Sequence, residues 1–146
     1  MLPDGPGTYV LILRAQRPQT VSVGKLGRFD FPPGWYAYAG SARGPGGLAA
    51  RVNRHASPSK ACHWHIDYLG PAAQLLEAWY ALGTSRRECA WADALVALPG
   101  GSIPAPRFGA SDCCCRAHLF HFADRPSLSS FSSLVDQTVS RLVIHP

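Results

Sequence analysis

A chain that opens with short apolar, β-branched runs and only later alternates strand with helix predicts an α+β domain, a short antiparallel or mixed sheet flanked by helices. Length and composition agree with that class. The 146 residues suffice to bury one core without disulfide staples, and 47% hydrophobic against 16% charged side chains is the balance of a globular protein. Residues 1–125 carry most of the patterned elements and are taken as one domain, with 126–146 a C-terminal extension whose structure the pattern leaves open.

Gly7–Arg14 reads as the first strand, bounded upstream by Pro3, Asp4, Gly5 and Pro6. Thr20–Val23 and Gly27–Phe31 form a hairpin-like excursion, after which Pro32, Pro33 and Gly34 turn the chain into a strand over Trp35–Gly40. Gly40–Gly47 is a glycine-rich loop. Leu48–His55 loses its breakers and reads as a helix with Leu48 and Val52 toward the core. Trp64, Ile66, Tyr68 and Leu69 mark a short element, Leu75–Leu82 a buried strand, and Ser85–Leu98 a helix with Ser85 as N-cap. Beyond a loop-like stretch over 100–115, Ala117–Phe122 is the last expected strand and Leu134–Ile144 a final helix.

Lys and Arg number 14 against 9 acidic residues, a formal charge of +5 carried mostly by arginine, which suits a polyanionic partner because the guanidinium fork matches phosphate. Five cysteines, three of them adjacent at Cys113, Cys114 and Cys115, do not make an orderly set of bridges among neighbours and suggest a reducing compartment. The start, MLPDGPGTYVLILR, has acid and proline where a signal peptide carries basic charge, and its apolar run is too short for a membrane span. A cytoplasmic protein with no membrane partner is expected.

Chemistry concentrates in one constellation. Gly7-Thr8-Tyr9 and Tyr38-Ala39-Gly40 each lie on an expected strand, and Arg51 and His55, four residues apart, share one helical face and can address one ligand. With the later Glu88, this order resembles the GIY-YIG endonuclease superfamily, and more closely its branch of small, mostly uncharacterised GIY-YIG-like proteins. The residues that carry the closer resemblance are Gly34–Ala42, Gly44-Pro45-Gly46-Gly47-Leu48, Arg54-His55, His63–Leu69 and Gly109–Cys113, and it spans roughly residues 5 to 123.

The resemblance implies a metal-dependent endonuclease that hydrolyses phosphodiester bonds in DNA or structured nucleic acid, with Tyr9, Tyr38, Arg51, His55 and Glu88 as catalytic candidates. Glu88 would hold Mg²⁺ or Mn²⁺, since magnesium takes only one or two carboxylates beside substrate phosphates. Tyr9 would be the general base if Arg51 and the metal lower its pKa. Phosphate contacts are expected from Arg43, Arg51, Arg54, Lys60, Arg86 and Arg87, with His65, Asp67, Ser111 and Asp112 as auxiliary candidates. A targeting partner protein or a homodimer would then set substrate choice.

Plainer roles compete with each of these. Both tyrosines are also ordinary strand aromatics, Ser85-x-x-Glu88 fits a capping box, and Arg51 and Arg54 fit a solvated basic face. His63, His65, Asp67, Cys113, Cys115, His118 and His121 invite zinc, but no C-x2-C pair has a partner pair, so the spacing argues against it. The alternative function is a non-catalytic module on the same fold that binds nucleic acid or a partner protein. A third reading places a small phosphate-bearing ligand at the Gly44–Gly47 loop and the helix that follows it.

Overall fold

The computed structural model describes residues 2–57, 62–111 and 113–144. Its centre is β1 (Gly7–Ala15), an apolar strand buried along nearly its whole length. β2 (Gln19–Val23) and β3 (Gly27–Phe31) make a separate hairpin, and β4 (Gly34–Ala42) returns antiparallel to β1. α1 (Gly47–Ala56) and the short α2 (His65–Leu69) follow, then β5 (Gln74–Leu82), α3 (Glu88–Ala97), β6 (Leu119–Phe122), α4 (Leu128–Val135) and β7 (Ser140–Val143). The main sheet has the order β6-β4-β1-β5-β7 with every pairing antiparallel. The expected α+β class is therefore the observed one.

Strand alternation divides β1 between two cores. Tyr9, Leu11 and Leu13 face Leu48 and Val52 of α1, Ile66 and Leu69 of α2, and Val23 and Phe31 of the hairpin. Val10 and Ile12 face the opposite side, where Trp91 and Leu95 of α3 pack with Phe131 of α4. The Phe131 ring lies 5.4 Å from Trp79 and 5.1 Å from Trp91. Among the described residues no helix is long and apolar enough to cross a membrane.

Two expected elements are corrected. Residues 85–87 are needed to carry the chain from β5 to the far face of the sheet, so the second helix starts at Glu88 rather than Ser85. Arg87 is its N-cap, without a side-chain cap, and the Ser85–Glu88 capping box does not form. The helix expected over 134–144 is instead the end of α4, a left-handed Asp136, and β7. The Ser127 hydroxyl starts α4 by accepting the Ser130 amide, and the free edge of β5 then recruits Ser140–Val143. Tertiary pairing outweighs a mixed local pattern there.

This C-terminal segment is locked by charge as well as by strand pairing. The Glu77 carboxylate on β5, 1% exposed, accepts from the Trp79 indole at 3.0 Å and pairs with Arg141 at 2.8 Å and with Arg125. The start of α1 is closed off too, because the Leu48 and Ala49 amides donate to the Gly5 and Pro3 carbonyls, each at 3.0 Å. That use of the amides removes the anion site expected at the Gly44–Gly47 loop. Glu77→Ala should unpair the buried Trp79 indole and release two half-exposed arginines to solvent, lowering stability by roughly 1–3 kcal/mol in urea unfolding, with early proteolysis after α3. A change under about 0.5 kcal/mol would contradict this role for Glu77.

Candidate active site

The β1–β4 register sets Tyr9 opposite Gly40. A Cβ at position 40 would lie 2.5 Å from the Tyr9 hydroxyl, so glycine is what lets the phenol cross its neighbouring strand. The hydroxyl reaches His55 Nε2 at 2.9 Å, and Tyr38 turns its ring toward the same imidazole, centroids 6.4 Å apart. Behind Tyr38 stands Gly109, whose φ of 74° and close approach to the Tyr38 ring leave no room for a side chain.

α1 brings Arg51 and His55 to this point from one face, as their spacing requires. Arg51 Nη1 donates to the Ser41 carbonyl at 3.1 Å, and its guanidinium lies 4.5 Å from the Trp64 ring. Arg54 lies over the same indole at 4.2 Å, but its two Nη groups grip the Asp67 oxygens at 3.1 and 3.0 Å. Asp67 also accepts the His63 and Trp64 amides at 2.8 and 2.9 Å, and its Oδ1 stands 4.0 Å from His55 Nδ1. The result is a row of Tyr9, His55 and Asp67 beneath an arginine-covered indole.

Tyr9, Tyr38, Arg43, Arg51, Arg86 and Glu88 all line one cleft of about 380 Å³. It opens where β6 ends its pairing with β4 at Tyr38. Glu88, the first residue of α3, sits where the helix dipole favours a carboxylate, and its Oε2 is buried with no hydrogen-bond partner among the described residues. Sequence-expected residues are distributed unevenly around this cleft. Arg87 bonds Gln137 at 3.4 Å and is not among the lining residues, while Lys60 and Asp112 lie outside the described residues. His65 braces the neighbouring loop, accepting the Gly109 amide at 2.7 Å and approaching the Ser111 hydroxyl at 3.5 Å.

Burial governs the protonation states. It pushes the Tyr9 phenol up to about 12 against the opposing pull of Arg51, and pushes Tyr38 up as well. Arg51 alone does not bring the Tyr9 pKa down toward neutral pH, because desolvation outweighs one cation; the expected lowering calls for the metal as well. Burial alone would raise the Asp67 carboxyl, but the Arg54 fork and the Trp64 and His63 amides outweigh it and hold the group below the usual carboxylate range.

A second cluster shares a wall of this cleft, with Cys89, Cys113 and His118 among its lining residues. Cys89, Cys113, Cys115 and His118 each offer a donor atom, all within 4.8 Å of one another, a set able to hold a metal. Thiolate and imidazole are soft donors that suit zinc rather than magnesium. Linear spacing argued against such a site because Cys89 belongs to α3, and only folding brings it to the 113–118 segment. Cys89 and Cys115 are joined as a disulfide, while Cys62, Cys113 and Cys114 are free thiols. Sequence reasoning also missed Trp64, the platform shared by Arg51 and Arg54.

The fold and cleft define a small α+β domain with a basic, tyrosine-lined pocket. Residues 8–141 match one family model, described as a domain of unknown function, DUF123, and the chain belongs to that family. No curated protein and no solved structure matches it.

Two titrations check these electrostatics. In a spectrophotometric titration of wild type against Tyr9→Phe, the Tyr9 phenol should ionise near pH 12; ionisation near neutrality would contradict its burial. Because Asp67 has a lowered folded pKa, its stabilisation is present above the ordinary carboxylate pKa and lost as pH falls through the folded value. Asp67→Asn should cost roughly 1–3 kcal/mol at neutral pH and flatten the acid limb of the stability curve. An acid limb unchanged in the variant would exclude this linkage.

Proposed function

We propose that the protein is a GIY-YIG-type, metal-dependent endonuclease that hydrolyses phosphodiester bonds in DNA or structured nucleic acid in the cytoplasm. The observation that carries the reading is the convergence of Tyr9, Arg51 and Glu88 on one cleft from three separate elements. A module that only binds needs a basic surface but not a carboxylate on the cleft wall with a buried oxygen that lacks a hydrogen-bond partner among the described residues.

Glu88 fits as the residue that would hold Mg²⁺ or Mn²⁺, since one carboxylate is enough when substrate phosphates complete the shell. Such an ion supplies Lewis-acid stabilisation of charge on the phosphate oxygens. Arg51, held in place by Ser41 and Trp64, presents its remaining N–H groups to the scissile phosphate, and Arg43 and Arg86 hold flanking phosphates. Arg54, engaged by Asp67, supports the site rather than the substrate.

A phenol that burial holds near 12 is not ionised at neutral pH in the metal-free site, so Tyr9 enters the reaction protonated rather than as tyrosinate. The Tyr9 oxygen takes the proton of the attacking water as its own hydroxyl proton passes to His55 Nε2, 2.9 Å away. Asp67 then stabilises the imidazolium from the Nδ1 side. Tyr38 limits water access and orients the imidazole.

The test is cleavage of single-stranded, duplex, nicked and branched DNA and RNA with Mg²⁺ or Mn²⁺. Wild type should cut at least one substrate, with losses of roughly 100-fold or more in Arg51→Ala and Glu88→Ala. Binding should weaken steeply with salt, less so in Arg51→Ala. Salt-sensitive binding without cutting, weakened by Arg51→Ala but not by Glu88→Ala, would replace the nuclease with a binding module.

A further inference from the structure

We propose that Cys89, Cys113, Cys115 and His118 bind one structural Zn²⁺ when Cys89 and Cys115 are thiolates, tying the start of α3 to the loop beside the cleft. The site goes beyond the nuclease reading and does not depend on it. Zinc bonds of about 2.3 Å to sulfur and 2.0–2.1 Å to nitrogen, at tetrahedral angles, place sulfur and nitrogen ligands roughly 3.5 Å apart. His118 Nε2 lies 3.4 Å from Cys113 Sγ and 3.7 Å from Cys89 Sγ. Cys89 and Cys115 have Cα atoms 6.2 Å apart, so both sulfurs reach the same point.

The surroundings are organised for a fixed centre. Arg107, itself in a left-handed conformation, donates to the carbonyls of Ala110, Cys113 and Cys115, which clamps the loop carrying two of the ligands. The His118 backbone is itself anchored to β4, its carbonyl accepting the Ala39 amide at 2.9 Å. His118 is buried and the three cysteines are half-buried, which shields a metal from solvent exchange. Three thiolates around Zn²⁺ leave one negative charge, and the Arg107 guanidinium, bonded to the Cys113 and Cys115 carbonyls, is the cation beside it.

Four protein ligands close the coordination shell, which assigns a structural rather than a catalytic zinc. The Cys89–Cys115 disulfide and the metal exclude each other, because both sulfurs must be thiolates to ligate. Position gives the site its consequence. Cys89 follows Glu88 directly, so the metal would fix the first turn of α3 and with it the carboxylate that faces the cleft.

The test uses full-length protein reduced with a phosphine, stripped with chelator and loaded with zinc chloride or cobalt(II). Expected results are one zinc per chain after desalting, protection of three thiols from a thiol reagent, and a thiolate-to-cobalt charge-transfer band with tetrahedral intensity. Cys113→Ser and His118→Ala should lose the bound zinc, while Cys62→Ser and Cys114→Ser keep it. The cobalt spectrum of wild type makes the result independent of whether a ligand variant folds. Reduced wild type that retains no zinc, an octahedral cobalt spectrum without charge transfer, or full zinc retention in Cys113→Ser would each overturn the proposal.

Discussion

The antiparallel register of β1 with β4 is the constraint on which the site depends. It places Tyr9 against Gly40, and the missing side chain there gives the phenol a path to His55. A slip of one residue would send Tyr9, Leu11 and Leu13 to the opposite core, because side chains alternate with a period of two. The two covered faces of β1 make that slip costly on both sides at once, since each face already has its own set of partners.

Electrostatics in the cleft are a contest between burial and neighbouring charge, and the outcome differs by group. Asp67 wins back its charge through a bidentate arginine and two amides, and stays ionised though buried. Tyr9 has fewer such partners and stays neutral. This difference shapes the proposed chemistry, because a neutral phenol bonded to an imidazole can relay a proton where it cannot act alone as a base. It also explains why Arg54, which looks on the sequence like one more phosphate contact, belongs to the frame of the site.

Local patterns made much of this legible in the sequence. The strands around Tyr9 and Tyr38 follow from short apolar runs bounded by proline and glycine, and the shared face of Arg51 and His55 from a spacing of four, which are short-range properties. What escaped notice depends on long-range packing. Cys89 joins Cys113, Cys115 and His118 only because α3 begins beside their loop, and no linear spacing rule contains that information. The tail after residue 125 becomes α4 and β7 through Phe131 and the edge of β5 rather than through its own periodicity. Glu88 is the intermediate case: its residue type was suggestive, but its place at the first position of α3 required the fold.

The central claim is that Glu88, Arg51 and Tyr9 serve one reaction centre, and anomalous diffraction tests it most directly. Crystals would be grown with Mn²⁺ and a short oligonucleotide carrying non-hydrolysable phosphorothioate linkages. The account predicts a manganese peak on the Glu88 carboxylate, with a backbone phosphate bridging it to Arg51 within reach of the Tyr9 hydroxyl. Nucleic acid bound outside the cleft, or manganese located away from Glu88, would contradict it.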